Sequence, residues 1–188
     1  MSTKHSVNKE LHSQAIAHEL KQDSAYYASL AWERPGAFVS LWTISEQHID
    51  HYEHVNNVAY VSQLEALAWQ HSKHLGLSMQ DYRRLDRGMV IQQHVLNYHV
   101  AAHLGDELAC ATWITDCDSK FRLSRAFQFI SLKHQKTVFT AQTHFVCVSL
   151  SRGTPKKMPS EFTDIYGTAS EGSHAFVFNE NKNEAEAQ

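Results

Sequence analysis

Long apolar runs are missing from this chain. No stretch of about 18 uncharged apolar residues occurs, so no membrane span is expected. Strong charge of one sign is missing too. A formal charge of −3 over 188 residues gives no basic footprint of the kind that phosphate-backbone binding requires. Cysteine is scarce: Cys110, Cys117 and Cys147 form no C-x-x-C pair, and an odd, sparse set suits a reducing compartment. They read as buried small hydrophobes. The opening residues, MSTKHSVNKELHSQ, hold no apolar signal region, so a cytoplasmic location is expected. Only three prolines and seven glycines interrupt the chain, which makes each of them informative about boundaries.

What is present is enough apolar sequence, 43%, for a real core. Pro35-Gly36 closes an N-terminal segment. Residues 7–33 read as weakly helical, from Leu11, Ile16, Leu20, Tyr27 and Leu30. Residues 1–36 are therefore taken as an extension, partly helical. "AFVSLWTI", Ala37 to Ile44, reads as a first strand. Val58 to Leu75 is helical in pattern, with Tyr60, Val61, Leu64, Leu67, Ala68, His71 and Leu75 on one wide face and Gly76 as the stop. Four strand candidates follow from Gly88: "GMVIQQHVLNYHV", "DELACATWITDCD", "FRLSRAFQFISLKH" and "TVFTAQTHFVCVSL". Short polar breaks between them suit antiparallel hairpins. Past Pro159 the sequence turns polar, and residues 161–188 are expected to be largely irregular, ending in the disordered-looking "NENKNEAEAQ". The order is that of an α+β fold over 37–160, one long helix wrapped by a curved antiparallel sheet, with an exposed strand edge that favours edge-to-edge pairing.

The densest chemistry lies in "HIDHYEHVNNVAY", His48 to Tyr60. Asp50, His51, Glu53 and His54 crowd into five positions just before a helix start. Asn56 or Asn57 can cap that helix, because an amide oxygen can accept an orphan first-turn N–H. Asp50 can be an ordinary acid at the positive end of a helix dipole, or a catalytic base. His54 can be structural or can position Asp50. His48, His51 and His54 form H-x2-H-x2-H, but with 14 histidines in the chain such clusters arise by chance, and no metal is assigned. Arg125 alternates with Leu123, Phe127 and Phe129. An arginine on an apolar strand face wants an anion or carbonyl partner. Lys156 and Lys157, after Gly153, form either a solvated turn or a phosphate contact.

These pieces together resemble the hotdog-fold thioesterase superfamily, in particular the 4-hydroxybenzoyl-CoA-type acyl-CoA thioesterases and the plant acyl-carrier-protein thioesterases. The resemblance is carried by "DHYEHVNNVAY" followed by "LEALAW", then "VLNYHVAAHLGDELACATW", "SRAFQF" and "RGTPKKMP". There are departures: His48 stands where many relatives have Asp, Glu53 where many bacterial ones have Gly, and Tyr52 where the plant enzymes have Asn. The resemblance implies Asp50 as base or nucleophile, His54 and Asn57 beside it, and Glu65 as a helix carboxylate facing a site. It implies a helix N-terminus aimed at the thioester carbonyl. Arg125, Lys156 and Lys157 become candidates for the coenzyme's phosphates. No cofactor is implied, since coenzyme A is part of the substrate, whether that is an acyl-CoA or an acyl-carrier-protein thioester. No nucleic-acid partner is implied, and a homodimer or homotetramer is. Two other functions stay open at this point: a hydratase or dehydratase on the same fold, and a non-catalytic acyl-binding module.

Overall fold

The computed structural model describes residues 24–172 and 175–179. Two compact units separate, 1–31 and 32–188. In the first, residues 24–28 are helical, and the Ser29 hydroxyl closes the turn by donating to the Tyr26 carbonyl at 2.7 Å. The helical expectation for 7–23 lies outside the described residues. The boundary falls five residues before the expected 36/37, because Trp32 to Pro35 are tied to the sheet of the second unit. Glu33 N–H donates to Gln128 Oε1 at 2.8 Å, and Trp113 Nε1 donates to the Pro35 carbonyl at 3.2 Å.

In the second unit β1 (Phe38–Thr43) leads through a short 3-10 turn to α1 (Asn57–His74), then to a short α2 (Met79–Arg84). β2 (Gly88–Tyr98), β3 (Glu107–Cys117), β4 (Arg122–Ser131) and β5 (Lys136–Val148) follow. α3 (Ser160–Ser170) and β6 (Val177–Asn179) end the described chain. The sheet order is β2-β5-β4-β3-β1-β6, antiparallel throughout except for the parallel β1–β6 pair. Within the expected irregular tail, residues 161–170 and 177–179 thus depart from that expectation. Pro159 starts a helix there, as its fixed φ permits at a helix entry, and Phe162, Tyr166 and Ala169 recur on helical spacing to form a buried face. The "NENKNEAEAQ" stretch lies outside the described residues beyond Asn179.

Local chemistry sets the joints. α1 spans 18 residues, about 27 Å at the usual rise. Gly76 ends it at φ +97°, with its N–H on the Lys73 carbonyl at 3.0 Å and that of Leu77 on Ser72 at 2.9 Å. This paired arrangement satisfies the last open carbonyls, and glycine alone adopts that φ without strain. Asp118 nucleates the β3–β4 turn by accepting the N–H groups of Lys120, Phe121 and Arg122 on one oxygen, at 2.7–2.8 Å.

Two cores result. Tyr60, Leu64 and Leu67 of α1 pack onto Trp42, Phe129 and Phe139, with Tyr60 and Phe139 stacked at 4.6 Å. Leu77, Tyr82, Leu123, Met158, Phe162 and Tyr166 form the second, around α3. Fully burying such a side chain is worth roughly 1.5–3 kcal/mol. Cys110 and Cys147 are buried as expected and Cys117 is half-buried, all as free thiols. Burial pushes all three thiols up, Cys147 to about 11, so none is a ready nucleophile. No helix among the described residues is long and apolar enough to cross a membrane.

Candidate active site

The sequence between the 3-10 turn and α1 folds into a self-bonded loop. Ile49 and Val55 pair across it. Asp50 N–H donates to the His54 carbonyl at 2.9 Å, and Glu53 N–H returns to the Asp50 carbonyl at 3.1 Å. Glu53 makes that turn possible by taking φ +61°, a conformation that favours glycine. The half-buried Asp50 carboxylate is held by the same backbone: its Oδ1 accepts from Tyr52 N–H at 2.8 Å and His54 N–H at 3.4 Å. Its Oδ2 is left without a partner among the described residues.

The start of α1 is tied to this loop. Asn56 donates to the His48 carbonyl through both its N–H, at 2.9 Å, and its side-chain amide, at 3.2 Å. Asn56, and not Asn57, is the N-cap, its Oδ1 accepting from Ala59 N–H at 2.8 Å. Asn57 is the first helical residue and is exposed. With Ala59 taken by the cap, the N–H groups of Asn57 and Val58 find no acceptor among the described residues, and both point from the positive end of the helix dipole. Val58 is 74% exposed, so this end is open.

His54 is exposed, its ring edge-on to His103 at 5.0 Å. His103 itself lies 3.1 Å from the Glu53 carbonyl through Nδ1. A carbonyl can only accept, so Nδ1 is the donor in this contact. His103 is a site residue the sequence reading did not single out, although "AAHLGDEL" belongs to the stretch that carried the resemblance. The Ala102 carbonyl accepts from Val55 N–H at 2.9 Å, which explains why that stretch sits against the loop. The histidines of H-x2-H-x2-H do not converge: His48 Nδ1 instead accepts from Ser45 N–H at 3.0 Å.

Glu65 and Arg125 lie in a second place, a cavity of about 280 Å³ between α1, β2 and the β4–β5 face. Its lining is mainly apolar, from Val61, Leu64 and Trp69 to Met89, Phe127 and Phe145. Exposed Glu65, Val90 and Ile91 form its rim. Its floor is polar. Arg125, only 2% exposed, hydrogen-bonds His71 Nδ1 at 2.7 Å and Ser72 Oγ at 3.3 Å. Ser72 Oγ reaches the Tyr166 hydroxyl at 3.0 Å, and Tyr166 in turn hydrogen-bonds Tyr82. Burial, then the neighbouring Tyr166, raises the Tyr82 pKa far above the ordinary phenol value, so it stays protonated. His71, Ser72, Tyr82 and Tyr166 are the other residues missed, since nothing in a local pattern says which side chains an inward arginine will meet.

Lys156 and Lys157 occupy a third place. Lys156 Nζ lies 3.5 Å from Asp86, whose carboxyl is held well below the usual range by hydrogen bonds from Ser149 and Ser151. Lys156 N–H bonds the Cys147 carbonyl at 3.0 Å, and Cys147 pairs with Met89 at the start of β2. The Asp50 loop lies near the other end of β2, where Tyr60 meets Tyr98 at 5.4 Å. Eleven strand residues, about 36 Å, run between those ends. Within one chain the lysines and the loop are therefore apart.

A family model described as the thioesterase-like superfamily matches residues 45–165. Solved structures match as well. A hypothetical protein from Staphylococcus aureus, in complex with CoA, is 16% identical with a TM-score of 0.68, covering 84% of this chain and 96% of that one. A 1,4-dihydroxy-2-naphthoyl-CoA thioesterase from Synechocystis is 19% identical with a TM-score of 0.63, covering 73% and 98%. A probable thioesterase from Escherichia coli is 21% identical with a TM-score of 0.59, covering 70% and 98%. No curated protein sequence matches the chain. At these identities the structural likeness establishes the fold, which is the hotdog fold.

Proposed function

The chain belongs to the thioesterase-like superfamily, and on that basis we propose that it is an acyl-CoA thioesterase, turning a thioester and water into a free acid and coenzyme A. The observation that carries this reading is the Asp50 carboxylate, clamped through one oxygen by its own loop and open at the other, in the loop that leads into the helix end bearing the uncapped N–H groups of Asn57 and Val58. Thioester cleavage needs both parts. The two N–H groups polarise the carbonyl and take up negative charge as its oxygen becomes an oxyanion. Asp50 Oδ2 either takes a proton from the attacking water or adds to the carbonyl carbon itself, the acyl group then passing to water. In both routes the C–S bond breaks and the thiolate takes up a proton. His54 and His103 flank the loop. Coenzyme A is favoured as the carrier because a protein of the same fold was solved with it.

Asp50 does not line the cavity, and a homodimer resolves this. β2 is a sheet edge carrying exposed Val90, Ile91, Val95 and Tyr98. Such an edge is a template for a second copy. Antiparallel pairing of two β2 strands sets the Asp50 loop of one copy, near the end of β2, beside the cavity rim of the other, near its start. The same pairing brings Lys156 and Lys157 toward that shared mouth, where coenzyme phosphates would lie.

Acyl-CoA turnover followed by free-thiol detection, over straight-chain and aryl thioesters, tests the activity. Asp50→Asn and Asp50→Ala are expected to lower turnover by about 10²-fold or more. A fully active, folded Asp50→Ala protein ends the catalytic assignment. Light scattering at micromolar concentration tests the assembly, and a monomer there rules out a shared site.

A further inference from the structure

The cavity floor is built for more than an aliphatic chain. Arg125 reaches it from β4, opposite Thr143 of β5, on the strand face that carries Leu123 and Phe127. Its guanidinium is buried, and no carboxylate pairs with it among the described residues. One N–H goes to His71 and one to Ser72, and Nε has no acceptor among the described residues. An arginine stays protonated in proteins, so the site holds a desolvated positive charge with unused donors. An uncompensated buried charge is costly and calls for an anion. Among the described residues the only carboxylate on the lining is Glu65, exposed at the rim. Seven residues of α1, about 10 Å, separate it from Ser72 at the floor.

We propose that the cavity selects acyl groups whose distal end carries a carboxylate, which lies at the Arg125 floor while the thioester stays at the mouth. The apolar wall around Trp69 and Phe127 takes the methylene or ring portion. A carboxylate accepts the remaining guanidinium N–H groups and the hydroxyl of Ser72 or Tyr166, and a planar guanidinium matches it in two-point geometry. The inference rests on the thioesterase reading for its substrate but not for its binding site.

Two measurements separate those dependencies. In the first, turnover is compared between ω-carboxyacyl-CoA and methyl-terminated acyl-CoA of matched length. The carboxylate-ended substrates are expected to show kcat/KM higher by about tenfold or more. In the second, free straight-chain carboxylates and their methyl esters are titrated against tryptophan fluorescence, with Trp69→Phe to identify the cavity signal. The acids are expected to bind about tenfold more tightly than the esters. Arg125→Met, checked by circular dichroism, is expected to abolish both preferences, and Arg125→Lys to retain part of them. If Arg125→Met does not fold, the wild-type preferences decide alone. Acids preferred with no thioester hydrolysed keep the carboxylate subsite and remove the thioesterase reading. Equal or better handling of the methyl-terminated and ester ligands by the wild type overturns the proposal.

Discussion

The Asp50 loop and the Arg125 floor are both polar, but they are built by opposite means. The loop holds itself with backbone groups: its carboxylate is oriented by N–H groups from within four residues, and its geometry depends on local turn chemistry. The floor is assembled from β4, α1, α2 and α3, by side chains up to 94 positions apart in the sequence. A loop of the first kind can carry reactive groups at the surface with little bearing on the core. A network of the second kind cannot change without disturbing packing, because each partner left behind becomes a buried unsatisfied group. On the proposed reading, the chemistry is placed where replacement is structurally cheap, and the selectivity where it is not.

That contrast can be broken most forcefully from the floor. Phe162 is fully buried, 4.7 Å from Tyr82 and 5.9 Å from Tyr166 by ring centroids. Phe162→Ala is expected to cost about 3–5 kcal/mol, read as a lower urea midpoint. A loss under about 1 kcal/mol would mean that the floor is not part of a shared core.

At the loop the expectation reverses: large effects on turnover, small ones on stability. Asn57→Pro isolates a single donor. Asn57 is the first helical residue, where proline is tolerated, and Asn56 is extended at φ −70° and ψ 153°, as a residue before proline should be. Besides the exposed side-chain amide, the substitution removes only an N–H that has no partner in the helix. Turnover is expected to fall about 10²–10³-fold, the scale of losing one oxyanion donor, with the melting temperature moved by no more than about 2 °C. Asn57→Ala keeps the N–H and should lose far less. Equal losses in the two variants would place the role in the side chain instead.

How far each region was legible follows the same division. The four long strands and α1 were readable, because Val, Ile, Thr and Phe runs and a wide apolar stripe reflect burial that local sequence records. The place of Asp50, six residues before the helix cap, was readable from chain order, while a role for it came only from the family resemblance. The identity of the cap was not: Asn56 and Asn57 are equally able, and only the chain's entry from His48 decides. Arg125 was readable as inward-facing from its alternation with Leu123 and Phe127. Its partners were not, since His71 and Ser72 reach it from another element. α2 is six residues long and α3 has a single buried stripe in polar surroundings, so neither stood out from loop composition. β6 exists only by pairing with β1, information absent from its own three residues.

The smallest effect belongs to Glu53, and it tests whether the loop is as self-sufficient as its hydrogen bonds suggest. At φ +61° a non-glycine residue carries about 1–2 kcal/mol of strain. Glycine removes that strain but brings back roughly 0.5–1 kcal/mol of unfolded-chain entropy. The side chain is exposed, and both backbone bonds at this position survive the change: the N–H to the Asp50 carbonyl and the carbonyl to His103. Glu53→Gly should therefore stabilise by about 0.5–1 kcal/mol, raising the melting temperature by roughly 1–4 °C. Turnover should change little, because the residues that hold Asp50 Oδ1 are untouched. A melting temperature that falls instead would show that the Glu53 carboxylate itself holds the loop, and that the backbone does not suffice to fix the turn around Asp50.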